Sequence, residues 1–513
     1  MQLRDLMRGV ELLEPVAANP EISGLAYHSA EIQPGNVFFA MHGAKSDGNL
    51  YIREAVAGGA LAVVSEEPPS TNICWARVKN ARQALAQAAA NFYDNPGRAL
   101  TLVGITGTNG KTTTTYLLDS ILRTAGHLTG MFGTIEHRTP ASAFPALTTT
   151  PESLDLQRFL AEVRAAGGTH VVMEASSHGL ALDRLFGLKF AAAVFTNLTR
   201  DHLDFHGEMQ AYFDAKKKLF AGVGAGPASI GVINADDAWA EQLFAAGVER
   251  VVTYGLKSGA DINTKKFLLS HAGLEFAVES PCGAISVRSS LVGRINVYNI
   301  LAAIAAAVAL GVERGAMEKG IARLEVVPGR FERVEEGQPF ALIVDYAHTD
   351  DALRNLLETA RELRSASAGS RPSGRIITVF GCGGDRDRTK RPLMGEAAGS
   401  LSDLCVLTSD NPRGEDPLGI INDTLVGLQK VRANYRIEPD RAKAIEVALE
   451  MAAGGDLVLL AGKGHEASQI LADRVIPFSD REVARAVLRK LGYGRTAASP
   501  ERISPKREGS SRN

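Results

Sequence analysis

The 513-residue sequence is poor in cysteine, in long apolar runs and in charge of one sign. Each lack removes a class of protein. The four cysteines, Cys74, Cys282, Cys382 and Cys405, include no C-x-x-C pair. So few in so long a chain argue against a disulfide scaffold or a zinc ribbon and fit a reducing compartment. The longest apolar run, residues 300–312, is too short to span a bilayer. Its many alanines make it a buried helix instead. The opening MQLRDLMRGVELLEP is interrupted by charge and has no apolar signal-peptide core. A cytoplasmic protein without membrane insertion is therefore expected. The formal net charge is -2, so nothing global draws nucleic acid or an anionic membrane, and any anion site must be local.

What is present is ordinary globular material, with 45% hydrophobic and 22% charged residues. A chain of this length divides into about three domains. Asp94-Asn95-Pro96-Gly97 and Val327-Pro328-Gly329-Arg330 mark two breaks. The boundaries expected are 1–97, 98–326 and 327–493, followed by a polar, basic tail, 494–513, with little to bury and hence disordered. In the middle region, residues 100–106, 170–174, 192–197 and 231–234 read as short buried strands with helical patterns between several of them. The last region repeats the style at 341–346, 375–380, 404–408 and 457–460. Each run ends in polar residues or glycine. Open α/β sheets bind ligands beyond the carboxyl ends of their strands, so two such regions suggest a reaction held between them.

The first middle-region strand runs into Gly107-Thr108-Asn109-Gly110-Lys111-Thr112-Thr113. A helix follows, with Leu117, Leu118, Ile121 and Leu122 on one face and Gly126 just past its end. Glycines let backbone N–H groups close around phosphate, and the helix N-terminus adds positive potential. Lys111 can reach the outer phosphates, and the Thr112 hydroxyl can ligate Mg²⁺. The strict G-x-x-x-x-G-K-[ST] pattern is not met, because Gly104 sits one position early and Ile105 holds the consensus glycine position. A Gly-rich turn that touches no ligand is the bland reading. The strand–loop–helix context and the Gly-Lys-Thr ending favour phosphate. With no N-K-x-D to read guanine, the nucleotide expected is ATP.

Glu174 ends an apolar strand, where a carboxylate is costly unless it meets a cation. The segment Thr196-Asn197-Leu198-Thr199-Arg200-Asp201-His202-Leu203-Asp204 is either a solvated loop or, beside a phosphate loop, part of a metal site. In the helix 209–220, Tyr212, Lys216, Leu219 and Phe220 share one face, so Lys216 points inward while Lys217 and Lys218 point away. A buried lysine becomes a neutral nucleophile. Such an amine can take up CO₂ as a carbamate, an anionic metal ligand.

Taken in order, GTNGKTT, MEASSHGL, FTNLTRDHLDFHG, Asp214-Ala215-Lys216, the Asn296/Asn299 pair, PGRFE, VDYAH, GCGGDRD, DNPR and GKGHE resemble the Mur ligases. These are the ATP-dependent peptide synthetases of peptidoglycan precursor assembly, and the resemblance covers nearly the whole chain to about residue 493. It implies an α/β, three-domain architecture with a central P-loop ATPase-type parallel sheet and a C-terminal Rossmann-like domain. DNPR with GKGHE resembles the branch that adds meso-2,6-diaminopimelate to a UDP-muramyl-dipeptide. On this resemblance Gly107 to Thr113, Asn299, Arg330 and Asp345 would bind ATP. Thr112, Glu174, His202 and Lys216 as its carbamate would hold Mg²⁺, with Lys111, Lys216 and His202 the catalytic set. Ser29, Thr149, Thr150, Ser176 and Arg184 would hold the UDP-muramyl-dipeptide. Arg386, Asp410, Asn411, Pro412, Arg413, Gly462 and Glu466 would bind diaminopimelate. A monomer serving small-molecule substrates in cell-wall synthesis, and through it cell shape and division, is implied.

The chain departs from the family pattern at His28-Ser29-Ala30, where Asp-Ser-Arg is usual, at Leu182 for glutamine and at Asp350 for proline. Two other readings share parts of the pattern. A folylpolyglutamate-synthase-like ligase would not need the N-terminal region or DNPR. A P-loop ATPase switch would release ADP without both a carboxylate and an amine substrate.

Overall fold

The computed structural model describes residues 1–43, 46–257, 259–366 and 374–494. The expected disordered tail, apart from its first residue, lies outside them. Internal contacts divide the chain into two units. The first comprises Met1–Phe331 with Thr349–Ala366 and Arg386–Lys390, and the second Glu332–His348, Ser367–Asp385 and Arg391–Asn513.

In the first unit an N-terminal parallel sheet runs Gly24–Ala26, Asn36–Phe39, Ala62–Ser65, Cys74–Arg77 in spatial order. Val37, Phe39 and Val64 bury against Leu85 and Ala88 of the helix Ala81–Phe92. That helix starts where it does because the Asn80 side chain accepts from the backbone N–H groups of Arg82 and Gln83.

Next comes a nine-stranded sheet in the order Ile262–Asn263, Arg250–Gly255, Ile230–Asn234, Ala192–Phe195, Thr101–Thr106, His170–Glu174, Thr129–Phe132, Glu136–Arg138, Ala143–Pro145. The first seven are parallel and the last two add as an antiparallel edge. The four strands expected here are all present, within one or two residues at their ends. Their continuous apolar runs are explained by helices on both faces, which leave no solvent side. The run 300–312 lies largely on the helix Arg294–Ala309, which is buried almost all round. The helix starts six residues earlier than the apolar run and stops at Gly311, whose φ of +77° suits a helix end.

A three-stranded antiparallel sheet, Phe267–Ser270, Gly273–Val278 and Ile285–Ser289, was not anticipated from the sequence. Leu274, Phe276 and Val278 alternate inward with exposed residues, the period-2 signature of a one-sided strand.

The second unit is a six-stranded sheet ordered Glu332–Arg333, Ala341–Asp345, Leu457–Ala461, Ile376–Phe380, Leu404–Leu407, Tyr435–Ile437. The first strand is antiparallel and the others parallel. All four strands expected here occur. In both units the functional motifs leave from the carboxyl ends of central strands, where sheets of this kind bind ligands.

Candidate active site

The register of the central sheet pairs Phe195 with Thr106 and Ile105 with Glu174. Three loops therefore emerge side by side. In the first, Gly107 has φ +143° and Gly110 φ +87°. A Cβ on Gly107 would stand 1.9 Å from Thr196 Oγ1, and one on Gly110 2.3 Å from Asn299 Oδ1. Both positions need glycine for backbone conformation and for room. The loop is pinned from the neighbouring strand end: Thr108 N–H donates to the Asn197 carbonyl (2.9 Å) and Asn109 N–H to Asn197 Oδ1 (2.9 Å). Lys111 and Thr112 open the helix Lys111–Thr124, with Thr112 and Thr113 buried. Asn299 is held by its neighbour, its Nδ2 donating to Asn296 Oδ1 at 2.9 Å. Arg330 donates from Nη2 to Thr112 Oγ1 at 3.2 Å. Asp345 belongs to the second unit, where its Oδ1 accepts from Ala347 N–H at 2.8 Å.

One nucleotide-loop contact escaped the sequence reading. Asp351 Oδ2 accepts from Asn109 Nδ2 at 2.7 Å and from Thr199 Oγ1 at 3.2 Å. Nothing in a lone Asp-Asp pair at a helix start announces such a partner more than two hundred residues away.

Glu174 is 1% exposed and accepts from Thr112 Oγ1 (3.1 Å), Thr134 N–H (2.8 Å) and Thr134 Oγ1 (3.0 Å). No cationic side chain stands within ion-pair distance of it among the described residues. A buried carboxylate answered by neutral donors alone suits a divalent cation, and its oxygen-rich surroundings suit Mg²⁺. His202 takes φ +55° and stands 3.3 Å from Asp201. Burial pushes its imidazole well below the usual histidine range, Asp201 opposing and Lys216 and Lys111 reinforcing, so the ring is neutral and competent as a ligand. Among the described residues no three histidine, cysteine, aspartate or glutamate side chains already converge as a metal cluster. An anionic ligand supplied by Lys216 would add to the donor set.

Lys216 does face inward. With Tyr212, Leu219 and Phe220 it is buried, while Lys218 is exposed. Its ammonium sits 4.3 Å from the Tyr212 ring centroid and donates to the Gly107 carbonyl at 2.8 Å. Lys111 donates to the same carbonyl at 3.0 Å and to that of Thr108 at 2.9 Å. Burial first, then the neighbouring Lys111 charge, hold Lys216 well below the ordinary lysine range, with Asp201 acting against them. Lys111 is also lowered by burial, but Glu174 and Asp201 offset part of that. Of the two amines Lys216 is the one lowered further.

Beyond Glu174 the hydroxyls form a chain. Thr134 Oγ1 and Thr149 Oγ1 lie 3.1 Å apart. Thr150 Oγ1 donates to the Glu174 carbonyl at 2.8 Å and shares a hydrogen bond with Ser176 Oγ at 2.9 Å. Arg184 Nη1 donates to the Thr150 carbonyl at 2.9 Å. Arg184 and Ser29 both line a cavity of about 1300 Å³, together with Tyr27, His28, Arg82 and Glu152. The last four went unremarked as candidates in the sequence. Glu152 joins two cations across the cavity wall: Arg82 Nη1 donates to it at 3.2 Å and Arg184 Nε stands 3.3 Å away.

In the second unit DNPR and GKGHE meet. Asn411 Nδ2 donates to Glu466 Oε2 at 2.9 Å. Gly462 has φ +118°, and a Cβ there would stand 2.8 Å from Asp410 Oδ2. Pro412 precedes Arg413, which takes φ +52° and donates from Nη1 to the Gly384 carbonyl at 2.8 Å. Burial raises the Asp410 carboxyl, with Arg441 and Lys463 pulling it back. Arg386 is grouped with the first unit and the other six with the second.

Comparison with known proteins gives this geometry a lineage. Residues 21–102 match the Mur ligase family, catalytic domain, residues 105–307 the Mur ligase middle domain, and residues 329–464 the Mur ligase, glutamate ligase domain. A UDP-N-acetylmuramoyl-L-alanyl-D-glutamate--2,6-diaminopimelate ligase of Solibacter usitatus is 50% identical over 97% of this chain and 100% of its own length. A relative of that name from Syntrophomonas wolfei is 43% identical over 95% and 99%. A solved structure of a ligase with that name superposes with a TM-score of 0.65 at 32% identity, covering 96% of this chain and 99% of the other. A folylpolyglutamate synthase of Mycobacterium tuberculosis shares the fold, with a TM-score of 0.61 at 18% identity. With family domains matched in order along most of its length and a half-identical relative end to end, the chain is a ligase of three-domain architecture and belongs to the Mur ligase family.

Proposed function

We propose that this ligase joins meso-2,6-diaminopimelate to the D-glutamyl γ-carboxylate of UDP-N-acetylmuramoyl-L-alanyl-D-glutamate, using ATP, in the cytoplasm and as a monomer. The observation that carries the reading is end-to-end likeness to ligases bearing that name, combined with the joined DNPR and GKGHE loops. The division at residues 97, 326 and 493 goes with it as the proposed domain plan.

A carboxylate is too poor an electrophile to meet an amine directly. The γ-phosphoryl group of ATP passes to a carboxylate oxygen, ADP leaves, and an acyl phosphate results. The amine then attacks the acyl carbon, the amide forms, phosphate departs and the ammonium proton is released. Gly107 to Thr113 cradle the phosphates, and Lys111 neutralises charge that develops on the transferred group. Asn299, Arg330 and Asp345 complete the nucleotide site. Thr112, Glu174, His202 and carbamylated Lys216 are the residues that would hold Mg²⁺, which supplies charge neutralisation to the phosphoryl oxygens. Carbamylation joins the neutral Lys216 nitrogen to CO₂ with loss of one proton. Ser29, Thr149, Thr150, Ser176 and Arg184 orient the UDP-muramyl-dipeptide. Arg386 and the DNPR and GKGHE residues bind the amino acid.

Mass spectrometry of the product formed from equimolar meso-diaminopimelate and L-lysine tests the substrate. Diaminopimelate incorporation alone is expected. Equal incorporation of lysine contradicts the reading.

A further inference from the structure

Lys463, the lysine of GKGHE, is among the most deeply buried charges of the second unit, with a fully enclosed side chain. Its ammonium reaches three partners. It donates to Glu466 Oε2 at 2.9 Å and to Asn411 Oδ1 at 3.0 Å, and stands 3.8 Å from Asp410 Oδ1. Those acceptors are themselves cross-linked. Asn411 Nδ2 donates to the same Glu466 oxygen, and Ile470 N–H donates to Asn411 Oδ1 at 3.0 Å. The amide of Asn411 therefore cannot flip without losing three hydrogen bonds at once. Behind this group Arg441 grips Asp480 with two hydrogen bonds of 2.8 and 2.7 Å and donates to the Ala461 carbonyl at 2.9 Å. Its charge is already matched by Asp480.

We propose that Lys463 is the positioning residue of the amino-acid pocket, fixing Glu466 and Asn411 and answering one of the two carboxylates of Asp410 and Glu466. The proposal rests on the functional reading above, in which those three residues bind the incoming amino acid. Two carboxylates with no buried cation would draw a diamine or hold a proton. With Lys463 against them, Glu466 and Asn411 are each held in one orientation by a buried hydrogen bond. Lys463 does this without touching substrate, through Glu466 and Asn411.

The test compares steady-state constants for Lys463→Met, Glu466→Gln and the double variant, using whichever amino acid the wild type ligates. Lys463→Met is expected to raise KM for the amino acid about 10–100-fold, the cost of one or more hydrogen bonds to a charged group. KM for ATP and for the UDP-muramyl-dipeptide should stay within about twofold, since the functional reading assigns neither of them to these residues. The double variant should exceed Glu466→Gln by less than the effect of Lys463→Met alone, because the part of that effect carried by Glu466 is lost once its carboxylate is gone. A rise in all three KM values together, no rise at all, or a double variant in which the two single effects multiply in full overturns the proposal. If Lys463→Met fails to fold, Lys463→Gln, which keeps a hydrogen-bond donor without the charge, replaces it in both comparisons. A wild type that ligates an amino acid other than diaminopimelate contradicts the functional reading instead, and these ratios still judge Lys463.

Discussion

An amine enclosed by protein with no carboxylate in ion-pair range has two stable outcomes, loss of its proton or chemical conversion. Among the described residues Lys216 meets that condition beside Lys111, the two Nζ atoms sharing the Gly107 carbonyl. Lys216→Ala is expected to abolish ligation while far-ultraviolet circular dichroism stays that of the wild type. Small carboxylic acids should restore part of the rate by standing in for the carbamate, and near-normal activity without them would remove Lys216 from the metal site. Arg413 bears on selectivity. Proline fixes the backbone before it, and the residue then adopts φ +52°, so the guanidinium has a set direction. A guanidinium grips a carboxylate with two parallel hydrogen bonds, each charged bond contributing roughly 1.5–3 kcal/mol. Arg413→Ala should lower kcat/KM for diaminopimelate by about 10²–10⁴ and leave KM for ATP nearly unchanged. Equal efficiency would remove Arg413 from the amino-acid site.

Elements are held to one another by a few charged residues at their ends. Arg441 and Asp480 each occupy the first turn of a helix, Arg441–Met451 and Asp480–Lys490, and both side chains are fully buried. Removing one partner leaves an unanswered interior charge. Asp480→Ala should cost about 3–5 kcal/mol in denaturant unfolding, and a loss below about 1 kcal/mol would show that the pair is not what joins the helices. Asp456 ties two strands: its carboxylate accepts from Arg375 N–H at 2.7 Å, Arg375 Nη2 at 2.8 Å and Ala453 N–H at 3.0 Å. Burial raises its pKa, but these bonds outweigh burial and hold it below the usual carboxylate range. A depressed folded value means stability that is present above the unfolded value of about 3.9 and lost as pH falls through the folded one. The melting-temperature gap between wild type and Asp456→Asn should therefore be widest near neutral pH and close below about pH 4. A gap that is independent of pH would contradict it. The sequence made such elements visible where periodicity was strong. Parallel strands buried on both faces read as apolar runs, and the Lys216 helix read correctly from i, i+3 and i+4 spacing. The antiparallel sheet around Phe276 was missed because its strands alternate with exposed residues between loops of mixed composition. Asp351 and Glu152 were missed for a different reason, since their partners are distant in sequence and no local pattern encodes them.

For the whole molecule, the family and its motifs were legible because rare residue strings occur in one order, and the family domains match along that order. The positions where this chain departs from the pattern were less legible. His28 lines the large cavity, yet the sequence alone assigned it nothing. On the proposed function the chain makes one amide for each ATP consumed, and hydrolysis is not an end in itself. The direct measurement is ADP release by the purified full chain with Mg²⁺, with each substrate omitted in turn. One ADP and one phosphate per UDP-muramyl-tripeptide are expected, with release falling to background when either the UDP-muramyl-dipeptide or meso-diaminopimelate is left out. Sustained ADP release without the dipeptide or without the amino acid would contradict it and identify the chain as an ATPase whose output is not a bond.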